Sequence, residues 1–212
     1  PRFWGHARIP APMPCAIFTW TSKTFLVGAT CVALAGCDEL AGFGGAQNNG
    51  LPFASLAGGA VSLVPPVGYC VDKRSVRPRF AVMARCDTLG GEASFGAPLA
   101  VITAAAVDQG AATTAGADKE TILSRRTSGT LTLLQVSGTP PSPEMADVYW
   151  RAVGPVGDQV IGLAIYEGEN AEPLGESAPN LLTEAMQRTR ARTAAVLNAE
   201  QDNSATTLVK PE

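Results

Sequence analysis

An α+β fold is what the sequence predicts: an antiparallel sheet with one short helix and a C-terminal amphipathic helix packed on one face. Three patterns predict it. Residues 148–167 alternate in period two around a Gly-Pro-Val-Gly-Asp segment, as a paired, half-buried ribbon does. Several shorter extended runs, broken by Pro and Gly, lie between residues 60 and 136. Near the C-terminus, Leu182, Ala185, Met186, Thr189 and Val196 recur at helical spacing. Strands that pair mainly with their chain neighbours, followed by a helix, place that helix on one side of an antiparallel sheet.

In chain order, residues 60–64 read as a strand stopped by Pro65 and Pro66, neither of which has an N–H to give a ladder. Residues 68–71 and 79–86 read as two strands joined by 72–78, a hairpin-like unit; in the second, Phe80, Val82 and Ala84 alternate with Ala81, Met83 and Arg85. Residues 99–107 are apolar enough for a central strand, and 108–117 are a Gly, Ala and Thr loop. Residues 117–126 are expected as the short helix, with Asp118 and Glu120 early and Arg125 and Arg126 late, as the helix dipole favours. Residues 129–136 form a β run with Leu131, Leu133 and Gln135 on one face and Thr132, Leu134 and Val136 on the other. The ribbon follows, with strands at 148–153 and 159–167 and a turn at 154–158. Ser177 or Asn180 caps the closing helix and Pro179 suits its first turn, while Arg188, Arg190 and Arg192 lie largely off the apolar stripe.

The N-terminal part is of another kind. Residues 25–35 are apolar but too few to cross a bilayer, which takes about 20 residues. They fit the apolar region of a secretory signal, with Lys23 before it and no acidic residue until Asp38. The run ends in Leu34-Ala35-Gly36-Cys37, which resembles the lipobox of a bacterial lipoprotein. The resemblance implies that Cys37 is acylated on sulfur, becomes the first residue after cleavage and holds the protein to a bilayer. Met13 is the expected initiator, residues 1–12 an upstream extension and 13–36 the signal peptide. Residues 37–59, rich in Gly, Ala and Asn, are expected as a flexible tether, 60–199 as one α+β domain and 200–212 as a disordered tail. The implied location is the periplasmic side of the cell envelope. Asp38 and Glu39 after the lipidated cysteine resemble an inner-membrane retention signal.

Cleavage before Cys37 changes what the composition excludes. The remaining 176 residues suffice for one domain with a core. They keep 13 of the 16 basic residues, losing Arg2, Arg8 and Lys23, against all 19 acidic ones, a balance of −6 that argues against general nucleic-acid binding. The only histidine, His6, is lost, so nucleophile–imidazole catalysis and His-based metal sites are not expected. Cys15 and Cys31 go with the signal, which leaves Cys70 and Cys86 as a disulfide in an oxidising compartment. The alternative, a redox or metal-binding pair, lacks Cys-x-x-Cys spacing and further soft ligands. No cofactor and no metal is expected.

The candidate binding residues are few. Lys73, Arg74, Arg77, Arg79 and Arg85 concentrate positive charge in an acidic domain and form either an anion or partner patch or a solvated loop. Tyr149 and Trp150 pack in the core, or one of them faces outward as a ligand anchor. Glu167, Glu169 and Glu172 form a solvated acidic loop or a cation site, though without the spacing of a calcium-binding loop. The strand–proline start at 61–66 and Tyr149-Trp150 with Val160-Ile161-Gly162-Leu163 before a closing helix resemble PsbP-like domains, α/β sandwiches used mostly in binding and assembly. The chain also resembles small uncharacterised proteobacterial lipoproteins. The expected function is a non-enzymatic binding or assembly factor at the envelope, with the bilayer and an envelope protein as partners. The alternative is a hydrolase that uses paired carboxylates on an envelope substrate.

Overall fold

The structure, a computed structural model, describes residues 48–108 and 120–208, with side chains described up to residue 201. Its strands are β1 (Gly50–Leu51), β2 (Ala54–Leu56), β3 (Val61–Leu63), β4 (Tyr69–Asp72), β5 (Phe80–Arg85), β6 (Val101–Asp108), β7 (Thr121–Ser128), β8 (Leu131–Ser137), β9 (Val148–Val156) and β10 (Gln159–Tyr166). One helix, α1 (Ser177–Leu208), follows. Eight strands make one sheet in the order β1-β4-β5-β6-β10-β9-β8-β7, and β2 and β3 pair separately. Every pairing is antiparallel. α1 packs against this sheet, so the α+β class stands.

Alternation decides what each face buries. Met83, Ile102, Ile161, Leu163 and Ile165 are fully buried and join Leu182 and Met186 of α1 in the main core. The intervening residues point to the other face, where a smaller cluster of Val136, Tyr149, Ala164 and Tyr166 gathers toward one end of the sheet. Trp150 and Tyr149 are therefore both buried, on opposite faces, and neither is the outward anchor that the sequence allowed.

Side chains of α1 complete the edge of β3 as a neighbouring strand would. The buried Thr193 hydroxyl accepts the Ser62 N–H at 3.0 Å, and the Thr189 hydroxyl accepts the Val64 N–H at 3.0 Å and donates to the Val64 carbonyl at 3.3 Å. Glu184 accepts the Val67 N–H at 2.9 Å. The Ser62 and Val64 backbone groups would otherwise be buried without partners. Thr193 thus belongs to the inner stripe, and Val196 is only half-buried.

Several expectations from sequence are corrected. The short helix at 117–126 is not formed: Thr121–Ser128 is the edge strand β7, paired with β8 from Thr121↔Ser137 to Ser128↔Leu131. Residues 117–119, and the predicted loop from 109 onward, lie outside the described residues. The charge order suggested a helix dipole, but such an effect is worth under about 1 kcal/mol at a surface. It yields to a full ladder across the Gly129–Thr130 turn. Arg125, Arg126 and a bulge between Ile122 and Ser124 discourage further pairing at this edge.

The turn predicted at 154–158 shrinks to Gly157–Asp158, because β9 runs on to Val156 and β10 starts at Gln159. Gly157 has φ +56°, as the first position of a tight hairpin turn requires. Pro155 is tolerated because β8 pairs with β9 only as far as Val153, so its missing N–H faces no strand. Its carbonyl accepts Nε of Arg190 at 2.9 Å. Arg190 is therefore turned inward, contrary to expectation, and a Cβ on Gly154 would stand 2.6 Å from its guanidinium.

The folded part also begins before residue 60 and ends after 199. β1 pairs with β4 and β2 with β3, Leu56 is fully buried, and Arg192 lies 3.7 Å over the Phe53 ring. Residues 50–59 are thus part of the domain rather than tether, because the scattered Leu51, Phe53 and Leu56 each find a packing partner. At the other end α1 continues to Leu208 through most of the predicted tail. Helical hydrogen bonding propagates cheaply from a docked start. Cys37 and the signal-like segment lie outside the described residues. Among the described residues no helix is long and apolar enough to cross a membrane.

Candidate functional site

The predicted basic patch is divided and largely neutralised. Lys73, Arg74, Arg77 and Arg79 lie in the β4–β5 connection, whereas Arg85 ends β5, about 20 Å from Arg79 for a strand of this length. Asp72 receives Arg74 through Nε at 3.1 Å and a second nitrogen at 3.2 Å, Arg79 meets Asp108 at 2.9 Å, and Arg85 pairs with Asp87. Arg77 spends its guanidinium on the Arg74 and Val76 carbonyls, both at 2.9 Å. Of the five, Arg77 bonds only to backbone and the Lys73 side chain has no partner among the described residues.

These pairs leave a pH signature. Hydrogen bonds from Arg74, Arg85 and Arg79 hold the carboxyls of Asp72, Asp87 and Asp108 below the usual carboxylate range, and Arg126 does the same for Glu176. Depressed carboxyls contribute stability above their unfolded pKa, about 4, and that contribution is lost as pH falls through the lower folded values. The melting temperature is expected to be flat near neutrality and to decline gently below about pH 4. Asp72→Asn should remove part of the decline in thermal melts. An unchanged slope would show that the Arg74 pair contributes nothing. Burial pushes Tyr69 up to about 12, and its hydroxyl donates to the Pro98 carbonyl at 2.7 Å.

Among the described residues, adjoining hollows lie at the opposite end of the sheet from the β9–β10 turn. One is a cleft of about 330 Å³ on the face away from α1. Its floor is Ala84 of β5, Val101 of β6 and Tyr166 of β10; Met145 walls one side and Thr88 lines another part. Leu99, two-thirds exposed, forms a lip held by the Tyr69–Pro98 hydrogen bond. Glu144 and Glu167 complete the lining. Two further hollows adjoin, one sharing Glu167 and Gly168, the other sharing Leu99.

The walls are fixed by backbone bonds and a covalent link. Ala146 N–H donates to the Glu167 carbonyl at 3.0 Å, Glu169 N–H to the Glu144 carbonyl at 2.8 Å, and Met145 faces Gly168 in a β-bridge. Thr88 sits in the 3-10 turn Asp87–Leu89, which follows Cys86 directly. Cys86 is paired with Cys70, with Cα atoms 4.9 Å apart, a geometry compatible with the disulfide expected from the sequence. Beneath the cleft, the Tyr166 ring packs on Tyr149 with centroids 4.7 Å apart. The Tyr149 hydroxyl donates to Glu120 at 2.7 Å, and Arg151 pairs with the same carboxylate. Burial, with help from Glu120, pushes the Tyr149 hydroxyl up, so it stays a neutral donor.

No protein-family model matches the chain, and no curated protein does.

Sequence reasoning singled out Glu167 but missed Glu144, Met145, Tyr166 and Leu99. The signal for Tyr166 was present: it is the last alternating aromatic of β10, in phase with Ala164 and out of phase with Ile165. Glu144 and Met145 carry no local pattern, because the bridge to Gly168 that places them is a long-range pairing. Glu169 and Glu172 sit on the lips of the adjoining hollows. Among the described residues no three His, Cys, Asp or Glu side chains gather as a metal site needs.

Proposed function

We propose that this chain is a lipid-anchored envelope protein whose folded domain works as a binding module, with the cleft over Ala84, Val101 and Tyr166 as its ligand site. The observation that carries the reading is the cleft itself. It is apolar, about 330 Å³, at the lower end of the size range of small-ligand sites, and built on strands rather than on loops alone. Its rims are locked by backbone hydrogen bonds and by the turn beside the disulfide, so little ordering is needed on binding. The anchor rests on the apolar run and the lipobox-like residues that end at Cys37.

One two-armed experiment tests both halves. Cys37→Ser expressed from Met13 is expected to move from the membrane to the soluble fraction and to lose incorporation of labelled palmitate; a membrane-bound variant would sink the anchor. For the cleft, Nile red is the probe. The wild type should enhance its fluorescence, and Val101→Trp, which fills the floor, should abolish the enhancement while leaving the melt cooperative. Equal enhancement by both proteins would refute the cleft. A second reading, a hydrolase, draws on Glu144 and Glu167 lining one hollow, since paired carboxylates flanking a bond are what glycoside hydrolysis uses. Release of reducing ends from envelope glycan, abolished by Glu144→Gln, would favour it.

A further inference from the structure

We infer that the turn at 94–97 is a membrane-contacting loop: Phe95, with Val67 and Leu99 beside it, enters the apolar part of the bilayer that holds the acylated Cys37. The inference rests on the lipid anchor proposed above and adds the surface by which the folded domain meets that membrane.

The turn is built to hold Phe95 out. The Ala97 N–H donates to the Ser94 carbonyl at 3.2 Å, and Gly96 takes φ +78°, as the third position of a type II turn requires. Both ends are clamped. Ser94 is buried, and its hydroxyl accepts the Cys86 N–H at 3.1 Å. Ala97 packs so closely on Gly68 that a Cβ there would stand 2.6 Å from the Ala97 Cβ, and the Pro98 carbonyl accepts the Tyr69 hydroxyl at 2.7 Å. Between these clamps Phe95 is 95% exposed, more than any other large apolar side chain of the described residues. Val67 precedes Gly68 and Leu99 follows Pro98, and each is 67% exposed. The second position of the turn asks only for a negative φ, which does not call for an aromatic ring.

The path of the chain argues for a bilayer as the cover. Asn48 stands eleven positions after Cys37, a stretch that spans at most about 40 Å. The chain enters beside the turn: the Asn49 N–H donates to the Leu89 carbonyl at 2.9 Å, the Leu89 N–H donates to the Cys86 carbonyl at 3.1 Å, and Cys86 is the residue that Ser94 holds. A lipidated Cys37 keeps the turn at an effective concentration of about millimolar with respect to the bilayer, where a contact of three side chains counts. A protein partner would need about 800 Å², far more than three side chains offer. Charge selects the kind of membrane. Glu92 lies three positions before Phe95, Glu184 accepts the Val67 N–H, and Arg85 is already paired with Asp87. Carboxylates beside the turn disfavour an anionic surface, so the contact is apolar and suits zwitterionic headgroups.

The test is tryptophan fluorescence on the lipidated protein, expressed from Met13 and reconstituted in phosphatidylcholine vesicles with or without bromine on the acyl chains. Trp150 is the one tryptophan after Cys37 and is buried, so the wild type should be quenched little. Phe95→Trp should add emission that brominated lipid removes for the most part. Asp158→Trp, in the β9–β10 turn at the other end of the sheet, should add emission that brominated lipid leaves intact. A Phe95→Trp protein that floats with the vesicles yet is quenched no more than Asp158→Trp overturns the membrane contact and leaves the anchor standing. A wild type that does not float overturns the anchor and the contact with it. Exchanging phosphatidylcholine for phosphatidylglycerol at low salt should reduce the quenching of Phe95→Trp, and stronger quenching would refute the zwitterionic surface. In unlipidated Cys37→Ser protein, a dimer seen by sedimentation equilibrium and dissolved by Phe95→Ser would assign the patch to a second copy of the chain and refute the bilayer.

Discussion

Leu182→Ala is expected to lower the unfolding free energy by about 2–5 kcal/mol, read as a fall in the denaturation midpoint with an unchanged slope. Leu182 is fully buried on the first turns of α1, between Ala178, Ala185 and Met186, which are also fully buried. α1 is the only α-helix among the described residues, and its inner stripe packs against the main core of the sheet. The void left by three lost carbons cannot collapse easily, because the Glu184, Thr189 and Thr193 hydrogen bonds that follow Leu182 fix the helix along β3 and the segment after it. At about 2–4 °C per kcal/mol the melting temperature should fall by roughly 4–20 °C. Arg188→Ala is the control. Its contact with Glu184, at 3.3 Å one turn away, is exposed, and such pairs are worth about 0.3–0.5 kcal/mol. A Leu182→Ala loss no larger than the control would mean that α1 does not stabilise the sheet.

What the sequence made legible follows from which signals are local. The β9–β10 ribbon and the β4–β5 unit were readable because alternation and turn residues lie within one short stretch, and their pairing is between chain neighbours. The α1 stripe was readable through Leu182 and Met186. Thr193 was not, since a threonine on an inner face has a reason only when the bare N–H of Ser62 is known to lie opposite, more than a hundred residues away in the chain. Arg190 was misplaced although it stands one turn beyond Met186 on the same stripe; its long charged side chain suggested solvent, and the room made by Gly154 is invisible in the sequence. β7 was misread because charge order was given more weight than strand pairing with the run that follows. The cleft is the least legible part. Its floor comes from three strands separated by up to about eighty residues, and its Met145 wall is set only through the long-range Met145–Gly168 bridge.

The disulfide should be the second large contributor. Replacing Cys70 and Cys86 together by Ser removes a link across 16 positions, which in the chain-entropy account stabilises by about 3 kcal/mol. At about 2–4 °C per kcal/mol the melt should drop by roughly 6–12 °C. The wild type in reducing agent should show the same drop, and the double variant none further. The loss is bounded because Tyr69, Cys70 and Val71 remain paired with β5, and because the Cys86 N–H still reaches the Gly68 carbonyl at 3.1 Å and the Ser94 hydroxyl at 3.1 Å. The hairpin therefore stays closed while the turn carrying Thr88 loses its covalent anchor. Hydrogen exchange should reveal this as faster exchange at Leu89 and Gly90, whose N–H groups bond back to Cys86 and Asp87, with little change in β9 and β10. A variant that melts with the wild type, or that exchanges faster across the whole sheet, would contradict the local role assigned to this link.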